Sequence, residues 1–459
     1  MGAPDSIRLL DPLFTTDAMR EVFSDRQRLQ GMLDFEAALA RALASAGIAP
    51  KNAVGPIESQ CRAELFDVES LARAAALSGN IAIPMVKALT RLVAQSDSPA
   101  STFVHWGATS QDAIDTGLVL QLRTAFDLLD RDLSHLSDAL ARLAEAHKST
   151  LVAGRTWLQQ GPPVTLGLKA AGWLAAIERH RERLSDSRKQ ALALQFGGAV
   201  GTLAALEDRG LAVAAALARD LKLEMPELPW HAHRDRLAEI AASLGLLAGS
   251  LGKMARDISL MSQTEIDEVA EPSGAGRGGS STMPHKRNPV GSAIILAAAV
   301  RVPALVSTML TAMVQEHERG LGGWHAEWET LPEICMLTGG ALAQAIVVIE
   351  GLQVDASRMV SNLELTRGLI LAEAVAMALA DKLGKAEAHA LIEEASASAL
   401  AGRKSLREVL AADARVSAQL SAAELERLLD PRNYLGEAPA LVARALAARR
   451  GERNDAADD

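Results

Sequence analysis

The chain is 459 residues long, room for about two to four domains, and 49% of it is apolar although aromatic residues supply only 3%. A net charge of −10 gives no support to a nucleic-acid partner. Two cysteines, Cys61 and Cys335, make neither a disulfide framework nor a zinc pattern.

Residues 1–107 read as short helices interrupted by Pro50, Pro56, Pro84 and Pro99. The opening MGAPDSIRLLDP lacks the basic and apolar regions of a signal peptide, so with the two lone cysteines a reducing cytoplasm is expected. Longer patterns follow. Leu122, Phe126, Leu129, Leu133, Leu136, Leu140 and Leu143 alternate steps of four and three. Leu237, Ile240, Leu244, Leu247, Leu251, Met254, Ile258 and Met261 repeat the device. Such spacing is the seam of long, nearly parallel helices. Further long helices are predicted over residues 164–194, 290–314 and 333–352. The 290–314 stretch is the most apolar of the chain, but Arg301 and Pro303 interrupt it, which predicts a buried, kinked helix and not a membrane span. From 355 to 448 short helices return, with turns at Gly384, Gly402 and Pro431. Strand runs are nearly absent. The expected fold class is all-α, with an N-terminal helical domain at 1–107, a central long-helix bundle at 108–353 and a C-terminal helical domain at 354–459.

Between two of the long helices lies a loop, 270–289, that ends GSSTMPHKRNP at Gly279–Pro289. Glycines 274, 276, 278 and 279 free its backbone; Ser280 and Ser281 bring hydroxyls, Lys286 and Arg287 charge, and Asn288 an amide. A loop of this kind suits a site that closes over an anionic substrate. Asn288 and Pro289 read as a helix start, whose positive end would face the loop and favour a bound carboxylate. Gly274, Gly276 and Gly279 also satisfy GxGxxG, but a helical pattern precedes them where a dinucleotide fingerprint needs a strand. That reading is rejected. A solvated connector is the plain alternative for any glycine–serine loop.

The same eleven residues match the signature GSSxMPxKxNP at every fixed position, and on them the chain resembles the fumarase/aspartase superfamily. In that family the first serine of the pair is the catalytic base, which carries over to Ser280. The lysine and asparagine bind substrate carboxylate, which carries over to Lys286 and Asn288. The resemblance also implies three helical domains and tetramers whose active sites are shared between subunits.

Two further blocks resemble the adenylosuccinate-lyase branch. Residues 105–116, HWGATSQDAIDT, follow HxGxTSxDxxDT, which puts His105 at the site edge. Thr109 and Ser110 then stand at a helix start, suited to hydrogen-bonding a carboxylate or, equally, to capping the helix. Asp112 and Asp115 fit a helix start as dipole partners. Residues 154–159, GRTWLQ, follow GRTHxQ and offer Arg155, Thr156, Trp157 and Gln159 as substrate contacts. Here Trp157 replaces an acid–base histidine. Phe66 stands in place of a second catalytic histidine, and Leu13–Phe14 in place of an Arg–Tyr pair near a nucleotide phosphate. The turn FGGAVGT at 196–202 resembles the family's small-residue turn that lets helices approach closely, for which a structural role suffices. His231, His233, Arg234 and Arg236 cluster before a heptad helix without the carboxylate or cysteine spacing of a metal site. His317, Glu318, Arg319, Trp324, His325 and Glu327 form a polar island, of which Arg319 binds substrate carboxylate or makes a surface salt bridge.

The losses bear on chemistry. Superfamily members add or eliminate a group β to a carboxylate through a stabilised carbanion. Eliminating an amine needs an acid, because its conjugate acid has a pKa of about 10, whereas a carboxylate, with a pKa of about 4, leaves unaided. A chain that keeps the base Ser280 and lacks both histidines therefore suits a carboxylate leaving group. In reverse this is lactonisation. The branch that performs it acts on 3-carboxy-cis,cis-muconate in the β-ketoadipate route of protocatechuate catabolism, and the whole chain resembles it. A tricarboxylate gives Arg155, Lys286, Arg287 and Arg319 natural partners, with no metal, organic cofactor, nucleic acid or membrane required. The rival is an adenylosuccinate-type or other C–N lyase on the same scaffold.

Overall fold

The structure is a computed structural model that describes residues 8–274, 278, 279, 282, 283 and 285–451. Ser280 and Ser281 lie outside the described residues, so the catalytic expectation for Ser280 has no geometry here.

Helices make up most of the fold. The main elements are α1 (Asp25–Ser45), α2 (Ser110–Ala146), strands β1 (Leu151–Thr156) and β2 (Gln159–Thr165), α3 (Leu166–Ala191), α4 (Asp235–Met261), β3 (Val269–Ala270), α5 (Val290–Ala312), α6 (Gly323–Glu350), β4 (Gln353–Val354), α7 (Ala372–Leu383) and α8 (Lys385–Gly402). The all-α expectation holds, and both heptad seams mark real helices. Seven of the eight α4 seam residues named above are no more than 2% exposed, and the α2 seam is buried from Leu122 to Leu140. Leu143 alone is half-buried.

One hairpin was not foreseen. Strands β1 and β2 pair antiparallel from Leu151↔Thr165 to Thr156↔Gln159, with a register shift between Ala153 and Arg155. Their turn is Trp157–Leu158, both at positive φ (+53° and +63°). This is the backbone of a primed hairpin turn, which normally takes Asn or Gly. Gly154, Gly161, Pro162 and Pro163 also dilute the strand pattern, since glycine and proline are depleted in strands.

The chain divides into two compact units. The first combines Met1–Ser134, His180–Gly252 and Ile294–Gln344. Within it α1 crosses α2 at Gly31 and Gly117, where a Cβ on Gly31 would lie 2.8 Å from the Gly117 carbonyl oxygen. No residue larger than glycine fits that crossing without a shift. The second unit combines His135–Arg179, Lys253–Ala293 and Ala345–Asp459. There Val375 and Leu379 of α7 join Leu391 and Ile392 of α8, with Leu406 and Leu410, in one core.

Three helices are long and apolar enough to cross a membrane by length and composition, namely α4, α5 and α6. In α4 and α6, 61% and 72% of the apolar window is buried inside the chain, but in α5 only 28% is. The expectation of a buried 290–314 helix is thus corrected. Pro303 does lie within α5, yet the helix keeps an apolar face open, with Val300 at 78% and Val314 just beyond it at 86% exposure.

Candidate active site

In the first unit the site is organised by the loop that leads into α2. His105 occupies the left-handed region at φ +58°, a conformation that costs a non-glycine residue about 1–3 kcal/mol. Its Nδ1 lies 2.5 Å from Oε1 of Glu36, which sits mid-way along α1 and is 1% exposed. Burial favours the neutral imidazole, but the Glu36 charge and hydrogen bond, helped by Asp112, overcome it and raise the histidine pKa above its usual 6.5.

Four residues on, Thr109 Oγ1 accepts a 3.0 Å hydrogen bond from Arg319 Nη2, which also donates to the Ala199 carbonyl at 2.9 Å. Two expected site residues, 210 positions apart, are thereby brought together on the FGGAVGT turn. Among the described residues no carboxylate lies within ion-pair distance of Arg319, so the surface salt bridge is not its role here. Ser110 opens α2 and is half-buried.

Beneath them are two buried polar hubs. Asp112 accepts from the backbone amides of Thr109, Gly197 and Gly198, from the Gln195 side chain and from His231 Nε2, at 2.8–3.2 Å. His231, which the sequence left without a role, therefore helps hold the turn. Asp115 receives Arg234 and the Trp324 indole, and Arg234 in turn donates to Glu327. This Asp–Arg–Glu triad is buried throughout. Burial pushes the Glu327 carboxyl up, more than Arg234 pulls it down. The triad anchors the start of α6, just after Arg319, to α2 and α4.

In the second unit several expectations change. Arg155 was to meet a substrate carboxylate, but its Nη1 and Nη2 donate to Glu268 at 2.9 and 2.6 Å. Asn362 completes that buried carboxylate at 2.9 Å. Thus Arg155 braces the hairpin within the chain, and its charge is already matched. Trp157 is 97% exposed at the hairpin tip, with Thr156 and Gln159 exposed beside it.

The start of α5 also differs. Among the described residues the Asn288 side chain caps no helix amide; its Nδ2 points to the Gly279 carbonyl at 3.4 Å, and its backbone amide donates to the Gly278 carbonyl at 2.8 Å. The free amides of Gly291 and Ser292 instead donate to the two oxygens of buried Glu271, each at 2.8 Å. That carboxylate occupies the helix N-terminus expected to face the substrate. Lys286 and Arg287 are exposed, and Arg287 donates to Gln353. Lys286 has no carboxylate within ion-pair distance among the described residues.

Residues 13–304 match the family described as lyase, and residues 368–445 match the adenylosuccinate lyase C-terminus. The chain belongs to the lyase family of the fumarase/aspartase superfamily. A 3-carboxy-cis,cis-muconate cycloisomerase from Pseudomonas aeruginosa is 62% identical over 440 residues, 96% of each chain. The crystal structure of 3-carboxy-cis,cis-muconate lactonizing enzyme from Pseudomonas putida superposes with a TM-score of 0.93 at 58% identity, covering 97% of this chain and all of that one. That of β-carboxy-cis,cis-muconate cycloisomerase from Acinetobacter calcoaceticus gives 0.91 at 43% identity, over 96% and 100%. The mostly helical, fumarase/aspartase-like fold agrees with these matches.

Family motifs pointed to His105, Thr109, Lys286 and Asn288, but not to Glu36, Glu268 or Glu271. Glu36 lies in DFEAALARALA, where it reads as an ordinary solvated helix charge. Lys169 on α3 was missed as well. Burial depresses its pKa, with nearby Asp257 and Glu268 opposing and Arg155 and Lys253 adding to the effect.

Proposed function

We propose that the protein is a cycloisomerase that interconverts 3-carboxy-cis,cis-muconate and a carboxymuconolactone. One carboxylate of the substrate adds to the conjugated alkene, and a proton is delivered to the carbon next to another carboxylate. The observation that carries this is near-full-length identity of 56–62% to three relatives bearing that name. The chemistry agrees with it. A carboxylate nucleophile is ionised at neutral pH and a carboxylate leaving group needs no acid, so Trp157 in place of a histidine is no handicap.

In this reading Ser280 exchanges the proton with the carbanion carbon, and Lys286 supplies the positive potential that favours its alkoxide. Thr109, Ser110 and Arg319 hold substrate carboxylate. Arg287 and Asn288 shape the loop end, and Thr156, Trp157 and Gln159 reach substrate from the hairpin tip. The three-domain division at 107 and 353 belongs to the same proposal. So does a cytoplasmic homotetramer in which each site collects residues from several subunits, supported by the open apolar face of α5.

The test is loss of muconate ultraviolet absorbance on adding the purified protein, beside an assay of adenylosuccinate cleavage. Absorbance loss with no nucleotide cleavage is expected. Cleavage without lactonisation would replace this reading with the C–N lyase.

A further inference from the structure

Glu36 is a buried carboxylate with one described hydrogen-bond partner. Oε1 meets His105 Nδ1 at 2.5 Å, and Oε2 has no hydrogen-bond partner among the described residues. A lone carboxylate inside a helical core is unfavourable unless a positive charge compensates it. The close crossing at Gly31 and Gly117 sets α1 against α2, and His105 takes up a left-handed backbone to meet Glu36. Both features fix the geometry of this pair.

The charged groups facing His105 are Glu36 from α1 and Asp112 from α2, the latter already holding His231 and three backbone amides. Cys61 has its thiol pushed up by burial and by the Glu36 carboxylate, so it brings no competing negative charge. The ring is 16% exposed. With Nδ1–H donated to Glu36, Nε2–H is its remaining donor. Thr109, on the same loop, carries Arg319, a cation with no carboxylate of its own among the described residues.

We propose that Glu36 is a positioning residue that keeps His105 as an imidazolium, so that His105 and Arg319 together anchor a substrate carboxylate. The anchoring role rests on the cycloisomerase reading; the charge state of the pair does not. No proton is transferred by His105, whose contribution is charge and a fixed donor.

The experiment follows the histidine Cε1 resonances of full-length protein with pH, assigning His105 by the signal lost in His105→Gln. His105 in the wild type is expected to titrate above the usual 6.5, and in Glu36→Gln at least about one unit lower, the usual scale for a close opposite charge. In steady-state lactonisation at pH 7.5, Glu36→Gln should raise KM about tenfold with kcat changed less than about threefold. Glu36→Asp should recover part of it. A wild-type midpoint at or below 6.5 overturns the inference even if Glu36→Gln does not fold, and so does an unmoved midpoint in Glu36→Gln. A shifted midpoint in a protein that does not lactonise muconate would overturn the cycloisomerase reading and the anchoring role, but not the pair.

Discussion

Arg319 Nη2 donates to Thr109 Oγ1 at 3.0 Å, joining the loop between α5 and α6 to the loop before α2. The guanidinium also holds the Ala199 carbonyl, so a turn, a helix start and a cation meet at one point. Because no carboxylate among the described residues pairs with Arg319, removing it leaves no described buried charge unpaired.

Arg319→Met is therefore expected to weaken substrate binding and leave the fold intact. A charged hydrogen bond is worth about 1.5–3 kcal/mol, which corresponds to a KM increase of about 10- to 150-fold. Steady-state kinetics with a thermal melt checks both halves. An unchanged KM would take Arg319 out of the substrate site.

The Asp115–Arg234–Glu327 triad should behave in the opposite way. All three side chains are about 1% exposed, and truncating one partner of a buried ion pair costs about 3–5 kcal/mol. Arg234→Ala strands two carboxylates and should be the most damaging. Urea denaturation of Arg234→Ala and Glu327→Ala measures the loss; a change below about 1 kcal/mol in both would show that water reaches the triad.

How far these features could be read in advance depended on the range of the interaction. The α4 seam is local and apolar, and every residue named from its spacing is buried. Motif residues were likewise found at sight. Their partners were not. Glu268 lies 113 positions from Arg155, and Glu36 lies 69 from His105; nothing in the surrounding residues marks either glutamate as buried. The helix start at Asn288 misled for a related reason. Asn–Pro is a sound local cap signal, but Glu271, brought in from 20 residues upstream, takes the amides first. The hairpin stayed hidden because Trp157–Leu158 is not a turn sequence that propensity would select.

That turn gives a third prediction. Trp157 and Leu158 both hold positive φ, a conformation in which glycine carries no side-chain penalty. Leu158→Gly should stabilise the chain by up to about 1 kcal/mol, read as a higher urea midpoint. Trp157→His should leave stability unchanged, since the indole is 97% exposed, and should not raise lactonisation turnover. A large stability loss in Trp157→His would mean that another copy of the chain covers the tip.

The open face of α5 leads to a fourth. Val300, Leu310 and Val314 are exposed on and just beyond a helix of high mean hydropathy. Apart from half-buried Leu143 the heptad seams are buried within one chain, which leaves the exposed face of α5 as apolar surface for association. A homotetramer should appear by light scattering at four times the 48.5 kDa chain mass, and Val300→Glu with Val314→Glu should lower that mass. A monomer at micromolar concentration would rule out shared sites.

Ser280→Ala tests the proposed chemistry most directly. In lactonisation only one proton moves, to the carbanion carbon, so losing the group that carries it should lower turnover by at least about 100-fold, the usual scale for an acid–base residue. A serine hydroxyl needs nearby positive potential to act as a base. The α5 N-terminus is an unsuitable source, because Glu271 already accepts from Gly291 and Ser292. Lys286, exposed and without a carboxylate partner among the described residues, is the cation at the fixed position of the motif. Lys286→Met should accordingly lower turnover as well as binding, whereas Ser280→Ala should lower turnover with KM nearly unchanged. Near-normal turnover in Ser280→Ala, with the helical circular dichroism intact, would remove Ser280 from the mechanism. Loss of turnover in Ser280→Ala but not in Lys286→Met would instead place the stabilising charge on another residue.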